Sequence, residues 1–143
     1  MSCYFPATML EGYEGFELVE DNEHFRFGAD PDRRLLLVVR KAAGMVSAAQ
    51  SIGMLRGVGL TLGEPEGWGV LFDTREAIGR SSPEFEADAR RLRDYLLEHY
   101  ARVAIVVKSA IGHIQVQRLE DPKARMLVFR NLDNALGFLA LCD

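Results

Sequence analysis

The run Gly69-Val70-Leu71-Phe72-Asp73 is short, apolar without interruption, and closed by a carboxylate. A run of this kind bounded by turn residues reads as a strand covered on both faces, because a half-exposed strand would alternate polar and apolar positions. The loop Gly63-Glu64-Pro65-Glu66-Gly67 introduces it. Leu35–Arg40 and residues 102–108 have the same character, and residues 125–130 supply a last strand. Stretches with helical spacing separate these runs. Strands that alternate with helices require crossover connections, so the sheet is expected to be largely parallel.

The clearest helical pattern covers 83–100, where Phe85, Ala89, Leu92 and Leu96 recur on one stripe. Ser81 or Ser82 suits its cap, Pro83 its first position, and Glu84 and Glu86 the positive end of its dipole. A helix near 47–56 is expected to fray before Gly63, since Gly53, Gly57 and Gly59 each cost about 1 kcal/mol against alanine. Residues 110–119 read either as a strand, with Ile114 and Val116 alternating with Gln115 and Gln117, or as a helix capped by Ser109. The cap favours the helix. Residues 132–141 close the chain as a helix. Upstream, 16–20 forms a short strand, His24-Phe25-Arg26-Phe27 a strand with one wet face, and Asp30-Pro31-Asp32 a turn. The organisation is one domain over 16–143 preceded by an arm, 1–15.

Composition narrows the function classes. With 143 residues, 48% hydrophobic and 27% charged, the chain is of ordinary globular character. Its net charge of −4 opposes a dense phosphate-tracking face, so no nucleic-acid partner is expected. No basic-then-apolar leader stands at the N-terminus, and no apolar run approaches the ~20 residues that span a bilayer. No membrane partner is expected either. Cys3 and Cys142 read as free thiols, with a bridge joining the two ends as the alternative, and the compartment reads as the cytoplasm.

Three stretches resemble the STAS superfamily, in particular its stand-alone SpoIIAA-like members. They are Trp68-Gly-Val-Leu-Phe-Asp73-Thr-Arg75, then Val103-Ala-Ile-Val-Val107 leading to Gly112-His-Ile-Gln115-Val-Gln-Arg118, and finally Met126-Leu-Val-Phe129-Arg-Asn-Leu-Asp133-Asn-Ala135-Leu136. The resemblance covers about residues 16–141. It implies a STAS-like α/β fold with a central mixed, mainly parallel sheet and helices mostly on one side. It also implies a regulatory serine at the start of the helix after the aspartate-ended strand, where Ser81 and Ser82 stand. The family's Asp-Ser-Ser-Gly is replaced here by Arg80-Ser81-Ser82-Pro83, without the aspartate and the glycine.

Candidate chemistry is sparse. Asp73, Thr74 and Arg75 end a buried strand, where open parallel sheets present ligand and partner surfaces. The plainer reading is that Asp73 and Arg75 organise the 74–82 loop by hydrogen bonding. N-capping is likewise the plainer reading of Ser81 and Ser82, and phosphorylation the functional one. Gln115, Gln117 and Arg118 form a polar set that either buttresses that loop or joins a contact face. His24, His99 and His113 lack metal spacing, no nucleophile elbow is present, and the glycines lack the context of a dinucleotide loop. No cofactor and no metal are expected. An enzyme would require a cleft gathering Asp73, Arg75 and His113.

The expected function is a non-enzymatic regulatory protein–protein interaction module, with its contact surface around loop 74–82 and helix 83–100. Its partner would be a regulatory kinase or another signalling protein. A homodimer through the 23–40 hairpin or the arm is a further expectation. The alternative is a carrier of a small, lipid-like apolar ligand, opened by movement of the 47–62 helix.

Overall fold

The computed structural model describes residues 9–42, 46–63, 65–77, 83–117, 120 and 125–141, with 83–85, 110–112 and 115 as backbone alone. Both cysteines lie outside the described residues. The chain forms β1 (Glu17–Asp21), β2 (Phe25–Asp30), β3 (Leu35–Arg40), α1 (Ala48–Thr61), β4 (Gly69–Asp73) and α2 (Pro83–His99). It then forms β5 (Arg102–Val106), α3 (Ala110–Gln117), β6 (Met126–Phe129) and α4 (Leu132–Leu139). The fold is α/β.

The six strands make one mixed sheet in simple chain order. β1, β2 and β3 are an antiparallel meander, while β3 to β6 pair in parallel. Turn chemistry accounts for the meander. Asn22 Oδ1 accepts from the backbone N–H of His24 and Phe25, both at 2.9 Å. Asp30 Oδ1 accepts from Arg33 N–H at 3.2 Å, and Arg34 takes the left-handed conformation, φ 57°, that completes the reversal.

Parallel neighbours need crossovers, and the helices supply them. Successive crossovers of the same hand that advance in one direction place their helices on one face. Accordingly Leu55 and Val58 of α1 and Leu96 of α2 are buried against Leu36, Val38, Val70, Phe72, Val103, Ile105 and Val128, with Val116 of α3 at the margin. The other sheet face, carrying Leu35, Leu37, Val39, Leu71, Ala104 and Val106, is covered by Ala135, Phe138 and Leu139 of α4 and by Phe16.

Helix α1 runs past its expected end near 56 to Thr61. A capping box secures its start, for Ser47 Oγ accepts from Gln50 N–H at 3.1 Å and Gln50 Oε1 from Ser47 N–H at 3.0 Å. Buried Leu55 and Val58 anchor it beyond the glycines. Residues 110–117 are helical, as the Ser109 cap favoured. β2 is paired to β1 and β3, and β3 to β4, so among the described residues β1 and β6 border the sheet. On β6, Glu120 occupies one edge donor by accepting from Val128 N–H at 3.0 Å.

Candidate functional site

Asp73 ends β4 on the face that α4 covers, and it is only 1% exposed. A carboxylate at that depth needs donors to replace water. Arg75 provides most of them from two positions along the chain. Its backbone N–H reaches Oδ1 at 3.0 Å, its Nε lies 3.0 Å from Oδ1 and 3.1 Å from Oδ2, and its Nη2 lies 2.6 Å from Oδ2. Tyr13 adds its phenolic O–H to Oδ2 at 2.5 Å.

These bonds set the protonation states. Burial alone would push the Asp73 carboxyl up, yet the hydrogen bonds from Arg75 and Tyr13 outweigh it and hold the group below its ordinary value. Burial, reinforced by the Asp73 carboxylate, pushes the Tyr13 phenol up to about 12. The same carboxylate raises the pKa of Arg75. Near neutral pH the three are therefore a fixed ion pair and a fixed donor.

The turn beyond Asp73 is tied down as well. Thr74 donates its N–H and its Oγ1–H to the Val106 carbonyl, at 2.9 and 2.8 Å, and Ala77 N–H returns to the Thr74 carbonyl at 3.0 Å. Arg75 remains 40% exposed at its side chain, against 2% for Asp73. Among the described residues its Nη1 has no hydrogen-bond partner.

Tyr13 arrives on a strap, residues 10–16, that lies over the same sheet face. The strap closes on itself through Leu10 N–H to Phe16 O, Tyr13 N–H to Leu10 O and Phe16 N–H to Tyr13 O, each 3.1 Å. Leu10 and Tyr13 pack beside buried Phe16 on the α4-side core. Its far end is clamped at the β2–β3 turn. There Arg33 pairs with Asp30 at 2.5 Å, donates to the Glu14 carbonyl at 2.7 Å and covers the Phe16 ring at 5.2 Å. Gly15 (φ 91°) permits that approach, since a Cβ there would sit 2.8 Å from Arg33 Nη2.

Of the sequence-derived candidates, Asp73, Thr74 and Arg75 come together in this unit, by the loop-organising hydrogen bonds that the plainer reading named. Ser81, Ser82 and Arg118 lie outside the described residues, and Gln115 is described only as α3 backbone. His113, half-buried on α3, has no hydrogen bond to Asp73 or Arg75 among the described residues. Among the stripe residues of α2 whose side chains are described, Leu96 is buried while Ala89 and Leu92 are half-buried, and none of residues 86–95 is fully covered. Tyr13 was not singled out by sequence. Its only signal is the spacing of Leu10, Tyr13 and Phe16, three apolar rings or branches at every third position.

Among the described residues, no group of three or more His, Cys, Asp or Glu could hold a metal ion, and no helix is long and apolar enough to cross a membrane. Comparison with protein-family models, curated proteins and solved structures finds no match, so what this site does has to be read from its geometry.

Proposed function

We propose that the chain is a STAS-like regulatory interaction module that binds a protein partner through the turn after β4 and the adjoining α2. The observation that carries this reading is Arg75. Its guanidinium is fixed by a buried carboxylate, while the side chain as a whole stays 40% exposed on a turn that is tied to β5. Binding is favoured when the contact group is rigid beforehand, because ordering a long side chain otherwise costs about 0.5–1.5 kcal/mol. Arginine forks are also frequent anchors at protein interfaces. The donor capacity that the guanidinium does not spend on Asp73 calls for an acceptor on the partner, a carboxylate or a backbone carbonyl.

The first half of α2, which follows the turn in sequence, offers further polar groups to a partner. Its described residues from Glu86 to Tyr95 are half-buried or exposed, and carry Arg90, Arg91, Arg93 and Asp94 as a mixed-charge face. The test is capture from the native host with wild-type protein, Arg75→Ala, and Glu17→Ala on the remote strand β1. A protein retained by wild type and Glu17→Ala but lost with Arg75→Ala supports the reading. A partner retained equally by all three places its contact elsewhere and overturns it.

A further inference from the structure

We propose that the strap, residues 10–16, is a coupled clamp on the contact turn, so that docking of the strap and engagement of Arg75 by a partner strengthen each other. The partner half of this proposal rests on the reading of 74–77 as a contact surface. The coupling itself does not.

The strap is held at two separated points. At one end Arg33 grips the Glu14 carbonyl and the Phe16 ring from the β2–β3 turn. At its middle, Tyr13 reaches the carboxyl end of β4 and bonds the same oxygen, Asp73 Oδ2, that receives Arg75 Nη2. The carboxylate thus has one set of contacts to the strap and another to the turn. Its Oδ1 also accepts the backbone N–H of Arg75. When the strap lifts, Asp73 loses a donor in a buried site, and water or a rotated carboxylate must replace it. Either change releases the guanidinium and the Arg75 amide from their fixed positions.

The reverse path follows by linkage. A partner acceptor on the outer edge of Arg75 favours the orientation in which its inner edge grips Asp73, and that orientation keeps Asp73 aligned with Tyr13. Any event that removes residues 10–16 from the sheet face, such as cleavage in the strap or a competing ligand at the N-terminus, then weakens the contact turn without touching it.

The decisive experiment is residue-resolved amide hydrogen exchange on the full chain, comparing wild type with Arg33→Ala. Arg33 touches the strap and Asp30 but no atom of the 73–77 turn among the described residues. Exchange in 10–16 is expected to accelerate about tenfold or more, as suits loss of a charge-assisted hydrogen bond. The Arg75 and Ala77 amides are expected to accelerate with it, while Val107 on β5–β6 stays protected. If the strap loosens and the turn does not, the coupling is overturned. Should Arg33→Ala unfold the sheet, Leu10→Ala replaces it, because Leu10 packs over Gly28 and leaves the Arg33–Asp30 pair in place. A strap that neither variant loosens also overturns the proposal.

With a partner in hand, saturating it should slow exchange in 10–16. A partner that requires Arg75 yet leaves the strap unchanged would preserve the contact reading and sink its link to the clamp.

Discussion

Tyr13 donates to Asp73 Oδ2 at 2.5 Å, across 60 positions of sequence, and so ties the start of the chain to the end of its central strand. The bond joins a half-buried phenol to a buried carboxylate that Arg75 already neutralises. A double-mutant cycle measures it. Tyr13→Phe is expected to cost about 1–2 kcal/mol in urea unfolding and Asp73→Asn about 2–3 kcal/mol. The double variant should cost less than the sum by about 1 kcal/mol or more. Full additivity would mean that the two groups do not share the bond.

The same pair governs stability at both ends of the pH scale. Asp73 titrates below its ordinary value of 3.8 when folded, so its contribution is present above that value and is lost as pH falls through the lower, folded one. Asp73→Asn should flatten that acid limb. Tyr13 moves the other way, from 10.0 to about 12. Its contribution is intact below pH 10 and disappears as pH rises toward 12. Tyr100, pushed up to about 12 by its burial, titrates in the same range. Ultraviolet phenolate titration should therefore show late-ionising tyrosines, with one fewer in Tyr13→Phe.

Glycine replacements divide by the space around them. A Cβ at Gly53 or Gly57 meets nothing within 4 Å, so alanine at either should stabilise the protein by about 0.5–1 kcal/mol. At Gly69 a Cβ would lie 2.9 Å from Leu35 Cδ2 and 3.2 Å from Leu139 Cδ2, and alanine should cost about 1–3 kcal/mol. Thermal unfolding of the three variants checks both signs.

Loss of the α1 capping box should show a modest effect of its own. Ser47→Ala is expected to cost about 1 kcal/mol. Exchange should rise chiefly in the first turn of α1, where Ser51 N–H bonds the Ser47 carbonyl at 3.0 Å. A cost near zero would show that tertiary burial of Ala48 and Leu55 holds that helix end unaided.

Strands and helices were legible where hydrophobic pattern and turn chemistry agree. Leu35–Arg40 and Gly69–Asp73 are apolar on both faces because helices cover one side of the sheet and α4 with the strap cover the other. Helix α1 ends before Gly63, as its glycines imply, but runs past 56 because propensity is local, whereas Leu55 and Val58 draw stability from the sheet. At the site, Asp73 and Arg75 were legible because they sit two residues apart and an aspartate can turn back on its own backbone. Tyr13 was not, since nothing local records which distant carboxylate a phenol will meet. The crossing of the strap depends on Arg33, Asp30 and Gly15 meeting at the β2–β3 turn, a three-body arrangement that no spacing rule encodes.

Because the strands lie in the sheet in the order of synthesis, each one emerging from a ribosome finds its neighbour already made. Pairing between successive strands keeps each loop closure shorter than a shuffled strand order would. The Tyr13–Asp73 bond spans 60 positions, yet both of its partners precede β5, α3, β6 and α4. The amino-terminal half can therefore be fastened across its open face while the carboxyl-terminal half is still being translated.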